Sequence, residues 1–401
     1  MTLLFCSPFS PLLIRRLSPR VVALLGTVVF SGGMVATSFV PALPYAFLTF
    51  GVLVGFGGNL IYQSGIKVIF DWYPRDNCSR AMSAALLGTA VGVFVFAPLF
   101  RALTALYGWR NALRIIGGGY FLLSAACGVF LASPVTIESE APEMGREGGS
   151  GEDIPPDAAS KLVGGKGADE EETLQRRFVR ALLQADLWLW LFGFMLSNVA
   201  WTFFLINYAS FMEHDRSFTT DQITQALVLG AVGEILGKVV LSLLGDRLPC
   251  LKIYEVVATG VLAAVACGLV TVLHNVTTIL IFSFVLGPVR SVSYASPYPS
   301  AMEIFGDYGS NLVTVILLIP IGIGSFLGGP VTGSIYDSMG DYTVALFIVA
   351  SIFMCSSVCL IVIPVKKRLQ SRRAARHRST SSSTIPSAAK HDRVSAKELE
   401  T

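Results

Sequence analysis

Long apolar runs alternate with short polar junctions along most of the chain, and each run holds on the order of the 20 residues a helix needs to cross a bilayer. None shows the short period-2 segments of a transmembrane β-barrel. The pattern predicts ten crossing helices, at 21–41, 45–68, 81–106, 112–132, 186–212, 222–245, 252–273, 278–302, 311–336 and 342–364. An apolar stub, TLLFCSPFSPLLI, precedes them and stops at Arg15 and Arg16, too short to cross alone. Its basic residues follow the apolar part, the reverse of a cleavable signal peptide. Between the fourth and fifth runs the pattern breaks. Residues 133–177 contain ESEAPEMGREGGSGEDIPP and GADEEE, a composition that buries no core. The chain therefore divides into an amino-terminal helical bundle (1–132), a disordered acidic linker (133–177), a carboxy-terminal six-helix bundle (178–365) and a basic, disordered, Ser/Thr-rich tail (366–401).

Composition agrees with the pattern. Hydrophobic residues make up 53% and charged residues 14%, with mean hydropathy +0.63, against about 25% charged in soluble domains. The net charge of +3 averages a near-neutral membrane part, an acidic linker and a basic tail. Basic clusters fall at alternate junctions: LIRRLSPR, WYPRDNCSR, RRFVR, DRLPCLK and the KKR tail. The positive-inside rule puts that side, with both termini, in the cytoplasm. Arg110 and Arg114 are the exceptions, at an outer junction. The sequon at Asn275 faces outward but lies tight against the membrane, and that at Asn77 faces inward. Seven cysteines (6, 78, 127, 250, 267, 355 and 359) form no CxxC pair. No catalytic, metal or cofactor cluster appears and no nucleic-acid module, which argues against an enzyme.

Charges inside the apolar runs carry the functional information, because each costs about 3 kcal/mol at the bilayer centre on insertion scales. In EILGKVVLSLLGDRLP, Glu234 and Lys238 stand four apart on one helix, so their side chains meet. The pair either lines a cavity or fixes helix packing. Arg290 lies mid-span in LGPVRSVSYASPYPSAM with no acid in its own helix. It either pairs with Glu234 across the bundle or serves as a second anion anchor. Lys67 lies near a span end, where a long side chain snorkels to the interface. Asn59, Tyr62, Asn198, Trp201, Tyr208 and Tyr294 are candidate cavity-lining residues, although aromatics in spans are more often packing residues. Gly88 and Gly92, and the glycines around Pro330, predict close helix approach. Two bundles joined by a long loop form the plan of a two-half secondary transporter.

YPRDNCSRAMSAALLGTAVGVFVFAPLFRALTALYGWRNALRIIGG resembles the fifth-helix region of the monocarboxylate transporter family. Tyr73, Arg75, Arg80, Ala81, Gly88, Gly92, Pro98, Leu99, Tyr107, Gly108, Trp109 and Arg110 carry the likeness. SGGMVATSF, LTFGVLVGFGGNLIY, FGDYGSNL and GGPVTGSIYDSMGDY resemble further family stretches. The resemblance implies the two-bundle fold of the major facilitator superfamily. Because SPFSPLLIRRLSPR resembles the inner end of the second family helix, it implies that fold without the first helix and most of the second. It implies a plasma-membrane carrier that moves a small monocarboxylate with a proton by alternating access. Lys238, where the family usually has Arg, would grip the carboxylate, and Glu234 would couple the proton. Arg290, Asn59, Tyr62 and Tyr294 would help bind substrate. Asp246 and Arg247, in GDRLP, would latch the inner gate. The partners implied are a carboxylate, a proton, the bilayer and, for some members, a single-span ancillary glycoprotein. Two other readings stay open: a degenerate, non-transporting partner of an intact carrier, motivated by the missing helices, and a facilitative carrier of another organic solute.

Overall fold

The computed structural model describes residues 13–14, 16–74, 77–131, 182–247 and 251–382. The acidic segment 133–177, Arg75 and residues 383–401 lie outside that set. Among the described residues ten helices are long and apolar enough to cross a membrane, in register with the runs predicted from hydropathy.

The first crossing is α1 (Pro19–Ser38). The second enters through a short turn and a π-helical stretch, Phe47–Val54, and continues as α2 (Gly55–Trp72). The third and fourth predicted crossings are the two helical segments of α3 (Cys78–Val129), which part at Gly108. Gly108 has φ 75°, a backbone setting that glycine reaches without the Cβ penalty, so the YGWR junction is the turn between two crossings. The carboxy-terminal part comprises α4 (Ala185–Ile206), α5 (Tyr208–His214), α6 (Thr220–Leu244), α7 (Lys252–Val272), α8 (Val276–Ala295), α9 (Pro297–Phe305), α10 (Ser310–Met339) and α11 (Tyr342–Ser382). A capping box on Thr219 and Gln222 starts α6. Gly340, at φ 68°, ends α10.

α11 runs through residues 366–382, which composition assigns to a disordered tail. The stretch KKRLQSRRAAR is rich in helix formers, and the membrane helix before it has already met the cost of nucleation. Helical residues added to an existing end need no new nucleus.

In the amino-terminal part α1 packs on α2 and α3. In the carboxy-terminal part α6 packs on α8, α4 on α10 and α11, and α7 on α11. The halves meet chiefly along α3 against α6 and α2 against α10. One buried apolar cluster joins them. It takes Ile66, Phe70 and Met82 from the amino-terminal part, and Trp190, Tyr298 and Phe305 from the carboxy-terminal part. These residues lie toward the end of the molecule that carries the basic junctions. Toward the opposite end the apolar clusters are separate. One surrounds Trp201, Phe211 and Tyr342 in the carboxy-terminal part, and a small one holds Met34, Val54 and Leu113 in the amino-terminal part. The halves are therefore sealed together at the basic end and part at the other.

Candidate functional site

The site begins with two helices brought unusually close. In α8, Pro288 has no N–H to give, so the Phe284 carbonyl loses its helical donor. That carbonyl faces Gly233 of α6, where an added Cβ would come within 2.2 Å of it. Gly287 of α8 in turn lies against the Glu234 backbone nitrogen, 2.5 Å from where a Cβ would stand. One residue beyond Arg290, Ser291 Oγ donates to the Glu234 carbonyl at 2.6 Å. Close backbone contact through small residues, the way membrane helices associate, thus fixes the separation of Glu234 and Arg290.

Their side chains form a three-charge cluster. Lys238 Nζ donates to Glu234 Oε1 at 2.7 Å. Arg290 Nε lies 3.6 Å from Glu234 Oε2, an ion pair without a formed hydrogen bond, and that Nε has no hydrogen-bond partner. The Arg290 guanidinium also stands over the Tyr294 ring, 5.5 Å from its centre, where the ring quadrupole attracts a cation. Lys238 makes one further bond, to Thr89 Oγ1 on α3 at 3.0 Å, and so bridges the two halves. Accessibility separates the two bases: the Lys238 side chain is 3% exposed and that of Arg290 26%, with Glu234 at 18%.

These groups line a cavity of about 900 Å³ between the halves. Thr89 and Tyr62 from the amino-terminal part and Tyr208, Ser283 and Tyr294 from the carboxy-terminal part add polar groups to the charges, and most of the remaining lining is apolar, including Leu86, Phe94, Phe204 and Leu227. Tyr208 and Ser283 share a hydrogen bond of 2.8 Å. The lining residues run from Lys238, in the last third of α6, toward Thr224 and Leu205 at the helix ends away from the basic junctions. The floor is a hydrogen bond between the hydroxyls of Tyr62 and Tyr298, one from each half.

Below that floor the two halves hold each other's helix starts. Asp246 accepts from the backbone N–H groups of Ser79 (3.2 Å) and Arg80 (2.9 Å). These are first-turn donors of α3 without an intrahelical partner, and an acid there also meets the positive end of the helix dipole. Arg80 Nε adds a bond to the Ser242 carbonyl at 3.2 Å. In the reverse sense Asp71, at the end of α2 and paired with Lys67, accepts from Ser310 Oγ at the first residue of α10, 2.8 Å away. Beside Asp246 lies a second buried cluster: Lys252 bonds the Gly245 carbonyl and Glu255, Ser296 donates to Glu255, and Glu303 accepts from the Lys252 N–H.

The sequence candidates therefore divide. Glu234, Lys238, Arg290, Tyr62 and Tyr294 converge on the cavity. Asn59 does not: it is fully buried, with Oδ1 accepting from Gln63 one turn away. It faces the interior of the amino-terminal part because a buried amide needs a partner there. Asp246 sits at the closed end, and Arg247 is exposed beside it. Lys67 pairs with Asp71 instead of reaching for the interface. Asn198 and Trp201 are buried in packing, Asn198 bonded to the Phe194 carbonyl and Trp201 set among Phe204, Tyr294 and Phe353. Gly88 and Gly92 meet no neighbour within 4 Å, whereas Gly324 and Gly328 pack on Asn198 and Thr202 of α4. Thr89, Ser283, Asp71 and the Lys252 cluster were not among the sequence candidates. A lone hydroxyl gives no sign in the sequence that its partner lies on another helix.

Comparison with known proteins agrees with this architecture. The family model described as Major Facilitator Superfamily matches residues 1–253 and 190–395. "Monocarboxylate transporter 13" of Bos taurus is 27% identical over 371 residues, covering 90% of this chain and 77% of that protein. "Monocarboxylate transporter 12-B" of Danio rerio is 26% identical over 383 residues, covering 92% and 78%. The human "Monocarboxylate transporter 14" is 25% identical over 433 residues, covering 92% and 82%. Among solved structures, FucP, a Major Facilitator Superfamily transporter in the outward conformation, superposes with a TM-score of 0.63 over 90% of this chain and 87% of that one, at 13% identity. At that identity the likeness is one of fold.

Proposed function

The chain belongs to the Major Facilitator Superfamily and is homologous to monocarboxylate transporters, and from that premise we propose that it carries a small monocarboxylate across the plasma membrane by alternating access. It is a multi-pass membrane protein whose known relatives are transporters and not enzymes. One observation supports the substrate class above all: among the described residues two cations and a single acid line the cavity, so these groups carry an excess positive charge that one carboxylate would balance. We assign the anchoring role to Arg290, which reaches the cavity, and give Lys238 the role of holding Glu234 and Thr89 in place. The apolar walls would receive the body of the solute, with Tyr62 and Tyr294 at its polar end. With the basic junctions in the cytoplasm, the arrangement is the outward-open one, closed below by the Tyr62–Tyr298 pair and the two aspartates.

Uptake of a labelled panel of monocarboxylates by cells expressing the chain tests this. Saturable uptake of a carboxylate, absent for its uncharged amide, is the expected result. Equal uptake of acid and amide would remove the carboxylate anchor. The resemblance to proton symporters asks Glu234 to carry a proton, and the charges around it bear directly on that role.

A further inference from the structure

The first segment of α3 and α6 run antiparallel, and their contacts at the basic end set a register. Asp246, just past α6, accepts from the N–H groups of Ser79 and Arg80, Arg80 donates to the Ser242 carbonyl, and Lys238 donates to Thr89. Beyond Thr89 the two helices become facing walls of the cavity, with Ala90 and Phe94 on α3 and Thr224, Val228 and Ala231 on α6. Carried along both helices, the Arg80–Ser242 contact sets Arg101 opposite Asp221, since each lies 21 residues farther from the basic end. The Thr89–Lys238 contact sets Arg101 opposite Ala226. The two registers differ by about 7 Å of helix rise, which an arginine side chain spans. Helical spacing agrees: Arg101 is seven residues from Phe94 and eleven from Ala90, and Asp221 is seven from Val228 and three from Thr224, so each charge continues the cavity-lining stripe of its own helix.

Both residues are exposed, and among the described residues neither is in an ion pair. Asp221 alone would need no partner, because an acid in the first turn of α6 meets the positive end of the helix dipole. Arg101 has no such support. It is the only charged residue from 81 to 109 and stands seven residues before the turn at Gly108, in an apolar run where a cation is costly. We propose that Arg101 and Asp221 form an ion pair that closes the cavity mouth when the walls come together and the basic end opens. The proposal rests on the carrier reading above. As water leaves the narrowing mouth the local dielectric falls and the attraction strengthens. Asp246 and Asp71 hold one end shut and this pair holds the other, so each set of contacts favours a different state of the cycle.

Cys78, 1% exposed at the basic end, reports which state is populated. With the remaining cysteines replaced by serine, its labelling by an impermeant maleimide is followed in membrane vesicles that expose the basic side of the full chain. Arg101→Glu is expected to slow labelling about three- to tenfold, because like charges then keep the mouth apart, and Asp221→Arg to slow it similarly. The two together are expected to restore the unaltered rate, and Arg101→Lys to leave it unchanged. Single variants without effect, or a double variant as slow as either single one, would overturn the pair. So would rescue of Arg101→Glu by Glu213→Arg on α5 in place of Asp221→Arg. Should a charge reversal fail to fold, Arg101→Cys with Asp221→Cys and Cys78→Ser decides. After cleavage at a protease site inserted in residues 133–177, a short bifunctional thiosulfonate is expected to keep the halves together on a denaturing gel, and halves that separate would refute the proposal. Monocarboxylate uptake without rescue by the swap removes the pair and leaves the carrier reading. Rescue of Cys78 labelling in a chain that takes up no monocarboxylate removes that reading and leaves the pair.

Discussion

At the scale of single residues, the two cations differ by what already occupies them. Lys238 has its ammonium engaged by Glu234 and Thr89 and is almost wholly buried, whereas the Arg290 side chain is about a quarter exposed and lines the cavity. A guanidinium also offers the planar fork that suits a carboxylate, where an ammonium is a point charge. Losing one charge-assisted hydrogen bond costs roughly 1.5–3 kcal/mol. Arg290→Gln is therefore expected to raise KM for the carboxylate by about ten- to a hundredfold, measured as initial uptake against concentration. Thr89→Val should leave KM nearly unchanged and slow turnover, because it removes the bond that carries Lys238 across to the other half. A KM increase in Thr89→Val as large as that in Arg290→Gln would contradict this division of roles. The charged members of the site were legible in the sequence, since an ion inside an apolar run stands out by its cost. Its neutral members were not: Asn59 looked equivalent to Tyr62, and only the third dimension turns one inward to Gln63 and the other to the cavity.

At the scale of elements, the contact of α6 with α8 does most to place the site. Gly287→Val would drive a Cβ to 2.5 Å from the Glu234 nitrogen, a backbone atom that no rotamer change moves aside. Overpacking of this kind costs roughly 1–3 kcal/mol. The thermal midpoint of the detergent-solubilised chain is expected to fall, with uptake lost alongside, while Gly88→Ala, which meets open space, should change neither. At the far rim, burial raises the pKa of Asp215 despite its bond from the Tyr342 N–H. Its neighbour Asp341 is held below the ordinary carboxylate range, mainly by the Thr343 N–H. A raised acid is easier to keep neutral in the folded state, so the Asp215 charge subtracts stability as pH rises past the ordinary carboxylate range. Asp215→Asn keeps an acceptor for Tyr342 and is expected to raise the thermal midpoint at neutral pH and leave it unchanged in acid. A lower midpoint at neutral pH would show that the ionised form is the favoured one. Helix number and position were legible from hydropathy because a span is set by bilayer thickness. The helix through 366–382 was not, since it depends on what an existing helix does to the residues next to it.

At the scale of the whole molecule, every hydrogen bond described above between the halves lies at Thr89 or nearer the basic end, and the cavity opens on the other side. Cys78 is 1% exposed at that closed end, within the start of the helix that Asp246 caps. In a chain whose remaining cysteines are serine, a membrane-impermeant maleimide applied from the basic side is expected to label Cys78 slowly, and faster in Asp246→Ala. Equal rates in the two chains would mean that Asp246 does not help to hold this end shut. The two aspartates act in opposite directions: Asp246 reaches from the second half to the start of α3, and Asp71 from the first half to the start of α10. Neither partner can swing away while the other's grip persists, so unlatching is a joint event with a threshold. Weakening one site should loosen the closed end in part, and losing both should open it by more than the sum of the single effects.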